Sequence, residues 1–493
     1  MRRFDSSRGH SARKSGSRTC ASHDDFRAIA FFGEPWVAAP GQARCGGGTP
    51  RATAVYNPGM GWKLLGGLVV LVAFVGGSAR SPGSPAPVAF AASSSPVSPP
   101  LGISGQQLGR VDSETLSLLP GARIDAGSGG CASRAGGEAC WSTPPWSFSP
   151  GSSRLALARN TEFGLRSLRL VDVRRLSVLA DLRFSGGPVG DLAWLGAGRL
   201  LAVQEICCSG RQRLLSIDVA GSRVTARRLL WGTVLRVDST PKELVLLLAP
   251  ARGVGAAKLA VADPLGEVRL VGLTRVAAGV AHEVDARSPT ASPGLAVDPA
   301  GRRAYVVTPT LVAAVDLRTL AVSYHALGTR ASLLGRVFAW LEPAAQAKEG
   351  VGRTRYASWL GGGLVAVAGS DFDRTVTRPA GLALVDTRSW KARTIDRDAD
   401  GYLVAPGLML ATGTTTGLTG YGLDGRRRFR LFGGQRASVL SVYAGRAYVD
   451  ILRSVGRPEQ VRIVDLSSGR DLGTRAEAVP TLLIAAMSGW WGP

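Results

Sequence analysis

The fold is decided by the stretch from Gly294 to Leu327, GLAVDPAGRRAYVVTPTLVAAVDLRTLAVSYHAL. Apolar and polar residues alternate in short segments, and turn-forming Asp, Pro, Gly and Thr separate the segments. A period of two residues is typical of half-buried β-strands, and Asp-Pro and Gly-containing breaks are typical of tight turns. The stretch therefore predicts four short antiparallel strands joined by short connections.

The second half of this stretch recurs along the chain as an apolar strand ending in Asp, a turn and another strand. The eight copies are LGRVDSETLSLL (Asp112), LRLVDVRRLSVL (Asp172), LLSIDVAGSRVT (Asp218), LAVADPLGEVRL (Asp263), VAAVDLRTLAVS (Asp316), LALVDTRSWKAR (Asp386), GYGLDGRRRFRL (Asp424) and VRIVDLSSGRDL (Asp465). A strand, a Gly-containing turn and a strongly apolar strand precede most copies, as in AWLGAGRLLAV (193–203) and SVYAGRAYVDI (441–451). Such a repeat indicates an array of identical supersecondary units.

Four strands per repeat is the content of one propeller blade, so we predict an all-β fold, a seven- or eight-bladed β-propeller. A β-sandwich, the competing fold, does not predict a repeat. Seven complete units run from Trp146 to about Thr474, and Leu108 to Leu119 supplies only the second half of another. Val479 to Met487 could supply part of its first half, which would close the ring within one blade and leave no free sheet edge.

The stretch from Gly294 to Leu327 resembles a repeat of the YVTN-type β-propellers, in the wider superfamily of quinoprotein-like propeller repeats. Its Tyr305-Val306-Val307-Thr308 departs from the motif at Pro309, which replaces the expected Asn, and weaker matches cover about Leu108 to Gly473. Many unrelated functions share this architecture, so the resemblance implies the fold alone. We predict that the repeated Asp residues serve turn chemistry, because an Asp side chain accepts hydrogen bonds from the backbone two residues on.

The N-terminal region divides into three predicted segments before the propeller. We predict that residues 1–59 are either a basic, disordered tail or sequence that is not translated, and that residues 60–79 are a signal peptide or membrane anchor. Residues 80–104 form a Pro/Ser/Ala-rich linker, residues 105–487 the propeller and residues 488–493 a C-terminal tail. The uncharged run from Leu64 to Val75 follows Lys63 and is shorter than a bilayer span. This organisation predicts an extracytoplasmic protein, either secreted or anchored to the cell membrane by residues 62–79.

The chain of 493 residues has a formal net charge of +23. Of its 59 Lys and Arg residues 53 are Arg, spread through almost every segment, with the densest run at Arg426-Arg427-Arg428 and Arg430. No RNA-binding aromatic signature, zinc-finger spacing or basic heptad accompanies the charge, which argues against nucleic acid as a partner. Dispersed positive charge fits adhesion to an anionic envelope polymer or to a lipid surface.

Long loops fall on one predicted face of the ring, the top face, where second-to-third and blade-to-blade connections emerge. The ligand-binding candidates there are His282, Glu283, Asp285, Trp340, Asp371, Asp373 and Arg374. Four cysteines lie in these loops, and in an exported chain they predict disulfides. Two pairings are open: Cys131 with Cys140 and a vicinal Cys207–Cys208 bond, or two cross-bridges between neighbouring loops. A histidine–cysteine metal site is not predicted, because His282 and His325 have no metal-ligand spacing with cysteine.

Two functions from different classes follow. The first is a ligand- or protein-binding or scaffolding module of the cell envelope, whose partner at the top face is an unknown protein or small molecule. The alternative is a metal-assisted, lactonase-like hydrolase, in which acidic loop residues would hold a divalent cation. A quinoprotein-like oxidoreductase is a remote third, because the tryptophan-ended repeat motif of that family is missing. The binding module is favoured over an enzyme, because no Gly-x-Ser-x-Gly elbow, P-loop or Rossmann fingerprint is present.

Overall fold

The computed structural model describes residues 99–127, 130–134, 137–141, 144–161, 164–183, 186–196, 198–206, 211–251, 253–280, 290–327, 351–373, 376–452, 460–475 and 481–483. Within these ranges every regular element is a β-strand, which confirms the all-β prediction. The predicted tail and hydrophobic segment, residues 1–59 and 60–79, lie outside the described residues.

The strands are numbered in chain order. The first thirteen are β1 (Leu101–Ser104), β2 (Gln107–Arg110), β3 (Ile124–Asp125), β4 (Gly130–Arg134), β5 (Gly137–Trp141), β6 (Trp146–Phe148), β7 (Arg154–Thr161), β8 (Gly164–Asp172), β9 (Ser177–Leu182), β10 (Val189–Leu195), β11 (Arg199–Ile206), β12 (Arg211–Asp218) and β13 (Arg223–Leu230). Next come β14 (Thr233–Ser239), β15 (Leu244–Ala249), β16 (Gly253–Ala262), β17 (Val268–Val280), β18 (Thr290–Ser292), β19 (Gly294–Val297), β20 (Arg303–Val307), β21 (Leu311–Asp316), β22 (Val322–Ala326), β23 (Val351–Gly361), β24 (Leu364–Asp373) and β25 (Val376–Pro379). The last are β26 (Leu382–Asp386), β27 (Lys391–Asp396), β28 (Gly401–Ala405), β29 (Leu408–Gly413), β30 (Gly417–Gly422), β31 (Arg427–Leu431), β32 (Arg436–Tyr443), β33 (Arg446–Leu452), β34 (Gln460–Asp465), β35 (Arg470–Arg475) and β36 (Thr481–Leu483).

These strands form repeated four-stranded antiparallel units, with a hairpin of β4 and β5 beside them. In chain order, unit 1 is β6–β9, unit 2 is β10–β13, unit 3 is β14–β17, unit 4 is β19–β22, unit 5 is β23, β24, β26 and β27, unit 6 is β28–β31, and unit 7 is β32–β35. The closing unit contains β36, β1, β2 and β3. The first strands of successive units contact one another and form the inner edge of the ring.

The blade count differs from the prediction. Six of the units are separate four-stranded sheets, whereas units 3 and 5 belong to one ten-stranded sheet. The structure therefore has six separate blades rather than the predicted seven or eight. The reason is β18, which pairs antiparallel with β17 and parallel with β23 and so fuses two units that the repeat pattern treats as independent.

The closing unit joins the two ends of the described chain. Strand β36 pairs antiparallel with β1, with Leu482 opposite Gly102. Strand β1 occupies the end of the segment predicted as a linker, so the sheet begins at Leu101 rather than after residue 104. Leu101 and Ile103 alternate along this strand and are 3% and 4% exposed, a pattern that the neighbouring prolines and glycines hid in the sequence.

Hydrophobic clusters lie between consecutive units around the whole ring. Tyr448 of unit 7 is fully buried with Val111 and Leu116 of the closing unit, and its hydroxyl donates to the Ser113 carbonyl at 3.0 Å. On its other side the closing unit packs through Leu108 against Phe148 of unit 1. Each sheet thus buries its two apolar faces against the two neighbouring sheets, so this packing is complete only when the ring is closed.

The repeated Asp residues act as predicted for turns. In seven of the eight copies the Asp Oδ1 accepts a backbone N–H two or three residues later; Asp316, for example, accepts from Arg318 at 3.0 Å and Thr319 at 2.8 Å. These bonds hold the pKa of the Asp465 carboxyl at about 2, chiefly through the Ser467 hydroxyl. The residue four positions after the Asp adopts a left-handed conformation in several units, as at Leu320 and Gly469.

Ser222 occupies this left-handed position in unit 2, with φ of 47° and an exposed side chain. We expect Ser222→Gly to raise the free energy of unfolding by about 0.5 to 1 kcal/mol, because glycine adopts positive φ without steric cost. Chemical denaturation measures the change. Ser222→Val is the matched control and should destabilise the protein; equal stability of the glycine and valine variants would contradict the turn assignment.

Candidate functional site

A second layer of pairing extends the sheets on the face where the second-to-third and unit-to-unit connections emerge. Residues 376–379, 370–373, 351–354, 290–292, 277–280 and 253–256 pair in this order, and we call this six-stranded layer the upper sheet. The sequence predicted loops at Gly272 to Pro293 and at Gly369 to Pro379. Strands replace much of both, and the layer ties unit 3 to unit 5.

Two glycines permit the upper sheet to form. Gly369 has φ of 153°, and a side chain there would begin 2.0 Å from the Thr354 carbonyl oxygen. Gly279 has φ of 124°, and a Cβ there would lie 2.2 Å from the Gly253 carbonyl oxygen. Any other residue would force neighbouring backbone apart at these points, so the close approach of the strands requires glycine.

Arg355 and Asp371 form an ion pair next to the upper sheet. The Arg355 Nη1 donates to the Asp371 carboxylate at 2.7 Å and to the Thr354 and Ser370 carbonyls at 2.9 and 3.2 Å. The Arg355 side chain is 9% exposed, whereas that of Asp371 is 42% exposed. A buried guanidinium needs such partners, so the Asp371 carboxylate already serves to neutralise the charge of Arg355.

Tyr356 brings charged groups of three inner strands into one cluster. The Arg236 guanidinium of β14 lies 4.7 Å from the centre of the Tyr356 ring and donates to the Arg355 carbonyl at 3.3 Å. Burial raises the pKa of the Tyr356 hydroxyl, and the Arg236 charge partly opposes this effect. Burial also raises the pKa of the Asp400 carboxyl, while Arg436 at the start of β32 lowers it.

Asp238 extends this cluster along β14. Its carboxylate oxygens accept the backbone N–H groups of Ser239 at 2.8 Å and of Val297 at 2.9 Å. Burial raises the pKa of Asp238 to about 7, although both hydrogen bonds favour the charged form. The nearby Tyr402 hydroxyl donates to the Ala366 carbonyl at 2.9 Å, and burial raises its pKa.

We call Arg236, Asp238, Tyr356, Asp400 and Arg436 the inner cluster. It combines cations, carboxylates and an aromatic ring at the inner edge of the ring, a set that could hold a polar ligand and respond to its charge. The inner cluster was not predicted from the sequence, because the predicted ligand site lay in loops. The available signal was Arg236-Val-Asp238, two charges within the apolar strand TVLRVDS.

The structure describes only part of the predicted site. Asp371 is placed as above, and the backbone of Asp373 ends β24 opposite Val351. The remaining site candidates, His282, Glu283, Asp285, Trp340 and Arg374, lie outside the described residues. Among the described side chains no group of three or more His, Cys, Asp or Glu residues could hold a metal ion. The ion pair with Arg355 occupies the one described carboxylate on which the hydrolase alternative relies.

Of the four cysteines considered for disulfides, two are placed by their backbone. Cys131 on β4 and Cys140 on β5 are directly opposite in the antiparallel register. Opposed residues in such a hairpin have Cα atoms about 4.5 to 5.5 Å apart, within the range that a disulfide spans. This placement suits the first of the two predicted pairings, while Cys207 and Cys208 lie outside the described residues.

Comparisons with known proteins find only remote likenesses, all of them to solved structures. No protein-family model matches the chain, and no curated protein matches it. Among solved structures, a dihydro-heme d1 dehydrogenase, NirN, is 13% identical and covers 77% of this chain and 73% of its own, with a TM-score of 0.48. The computationally designed protein Ika8 is 9% identical over 68% of this chain and 88% of its own, with a TM-score of 0.41. A functionally unknown protein from Desulfotomaculum acetoxidans is 10% identical over 68% and 95%, with a TM-score of 0.39. Values this low support no statement about activity, and the YVTN type stays a prediction.

None of the described residues belongs to a helix that is long and apolar enough to cross a membrane. The hydrophobic segment of residues 60–79 lies outside the described residues.

Proposed function

We propose that this chain is an exported or membrane-tethered β-propeller that acts as a binding module of the cell envelope, with its ligand at the upper sheet and the inner cluster. The observation that carries this proposal is the position of the Arg236 guanidinium, 4.7 Å from the centre of the Tyr356 ring and within hydrogen-bond distance of the Arg355 carbonyl. The charge of Asp400 raises the pKa of the same Tyr356 hydroxyl. Charged groups placed at the inner edge of a ring cost desolvation energy, and a ligand that pairs with them would offset part of that cost.

Export is the second part of the proposal. The uncharged run from Leu64 to Val75 and the opposed positions of Cys131 and Cys140 support it, because disulfides persist in oxidising compartments. An anionic polymer or lipid headgroups of the envelope would be attracted by the net positive charge of the surface.

Hydrogen exchange of the purified full chain, with and without solubilised envelope material, tests the binding site. We expect slower exchange in residues 351–354 and 370–373 of the upper sheet, and unchanged exchange in the turn at residues 173–176 on the opposite face. Arg236→Gln should abolish the protection, and Arg174→Gln, an exposed control, should retain it. Protection absent everywhere, or present only at the opposite face, would overturn the proposed site.

The compartment is tested separately by peptide mass mapping of chain isolated from cells under non-reducing conditions. We expect the peptides that contain Cys131 and Cys140 to be linked and to separate on reduction. Complete alkylation of both thiols before reduction, together with recovery in the cytosolic fraction, would contradict export.

A further inference from the structure

The outer rim of units 5 and 6 carries a concentration of cations that the proposed ligand site does not use. The members are Lys391, Arg393, Arg426, Arg427, Arg428 and Arg430, and we call them the outer basic strip. All six are exposed, and the segments 391–396 and 424–431 contain only two acids, Asp396 and Asp424. Six cations against two acids leave a local charge of +4 on two adjacent outer strands.

A contact between units makes the strip continuous. The Arg393 guanidinium on β27 donates to the Asp424 carbonyl at 2.7 Å, in the turn that precedes β31. The Arg426 side chain is 85% exposed, with the half-exposed Asp424 at 3.6 Å. Within the described part of the chain neither Arg427 nor Arg428 forms an ion pair. Arg427 and Arg428 therefore carry charges that no described acid neutralises, whereas Arg430 donates to the Thr415 and Thr416 carbonyls at 3.3 Å.

A β-bulge sets the direction of these side chains. Tyr421 pairs with Arg427 and Gly420 with Phe429, so Arg428 is the extra residue on the outer strand. The same bulge places Leu179 in unit 1 and Leu472 in unit 7 at the equivalent position, exposed by 50% and 47%. The fold accepts an exposed leucine at this position, so packing does not require an arginine at position 428 of unit 6.

The residues around the outer basic strip indicate which class of polyanion it can bind. Its one aromatic residue, Phe429, packs between units 6 and 7 and offers no ring for base stacking. The exposed large hydrophobics of the described chain lie elsewhere, for example at Trp231 and Leu265, so the strip lacks the apolar residues that membrane insertion or a protein interface core requires. Arginine forks bind carboxylates in two-point contacts, and Arg428 and Arg430 are about 7 Å apart along the strand.

We propose that the outer basic strip binds a linear anionic polysaccharide. The polymer lies along β31 and across to β27, and it is held by carboxylate or sulfate groups against the exposed guanidinium groups. This inference takes the envelope location of its partner from the proposed function, but it does not depend on the upper sheet or the inner cluster.

Titration calorimetry of the full chain with polygalacturonate, at 50 and 300 mM NaCl, tests the proposal. We expect binding that weakens at the higher salt concentration, and at least a tenfold loss of affinity in the variant Arg426→Gln/Arg427→Gln/Arg428→Gln. The control variant, Arg174→Gln/Arg175→Gln/Arg183→Gln, removes the same charge from exposed positions of unit 1, two of them in the equivalent Asp turn, and should lose less than twofold. If the triple variant does not fold, Arg427→Glu alone should show the loss.

Several outcomes overturn the proposal. Equal losses in both triple variants would show that dispersed charge alone binds the polymer. No binding at 50 mM NaCl would exclude the polysaccharide. Tighter binding of single-stranded DNA or of phosphatidylglycerol vesicles, sensitive to the same arginines, would identify a different partner class. If one of these outcomes is found and envelope material still protects residues 351–354 and 370–373, the proposed function stands although the strip proposal fails.

Discussion

A chain that ends at Arg475 is expected to lose about 3 to 6 kcal/mol of unfolding free energy relative to the full chain, or to lose cooperative unfolding. It lacks β36, which pairs with all three residues of Leu101 to Ile103. Each backbone hydrogen bond contributes about 1 kcal/mol net, and uncovering Leu101 and Ile103 costs about 1.5 to 3 kcal/mol for each side chain that becomes fully exposed. Such a loss is a large part of the stability of a typical domain.

Guanidinium denaturation and thermal unfolding of the truncated chain measure this effect. A chain that ends at Leu483 is the matched control, because it keeps β36 and removes only the residues after it. It should unfold like the full chain. Identical unfolding of the chains that end at Arg475 and at Leu483 would show that β36 does not close the ring.

The second large effect is a fall in stability between about pH 4 and pH 7 that disappears in Asp238→Asn. Asp238 has its pKa raised to about 7 in the folded state by burial, against an ordinary value of 3.8. Between these values the folded chain binds more protons than the unfolded chain, so unfolding free energy decreases as pH rises. The contribution reaches at most about 4 kcal/mol above pH 7, and partial exposure of the side chain lowers it.

Unfolding free energy is measured against pH for the wild type and for Asp238→Asn. The difference between the two curves isolates the contribution of the Asp238 carboxyl. Carboxyls with depressed pKa values, such as Asp465 at about 2, act in the opposite direction at lower pH and are common to both proteins. Asp238→Asn is expected to be less stable than the wild type at pH 4, because its amide replaces one acceptor, and to change little up to pH 7. Asp298→Asn is a control at a partly exposed turn position and should leave the slope of the wild type intact. A wild-type curve parallel to that of Asp238→Asn would refute the raised pKa.

The sequence predicted the repeating unit correctly because its evidence is local. Alternation defines each strand, and the Asp at the end of each third strand accepts hydrogen bonds from the next few residues, as Asp316 and Asp386 show. The closing of the ring within one unit was also predictable, because Leu108 to Leu119 is half a repeat without a partner. The strands and turns follow from residues that are neighbours in sequence, and the closing of the ring follows from the number of repeats.

The inner cluster and the upper sheet could not be predicted in the same way. Arg236 meets Arg355 and Tyr356 more than a hundred residues later, and an isolated strand pattern carries no information on which strands of a ring approach one another. Asp371 illustrates the same difficulty, because it is a plausible metal ligand in the sequence and the ion-pair partner of a buried arginine in the structure.

By itself, the sequence determined the all-β repeat, its turn chemistry and the dispersed positive charge, because each follows from composition and from contacts within one unit. Only the tertiary structure decided that two units are fused through β18, that charges of separate inner strands converge on Tyr356, and that Arg393 joins the arginines of β31 into one strip. The physical reason is that these features arise between units, where distance along the chain gives no measure of distance in space.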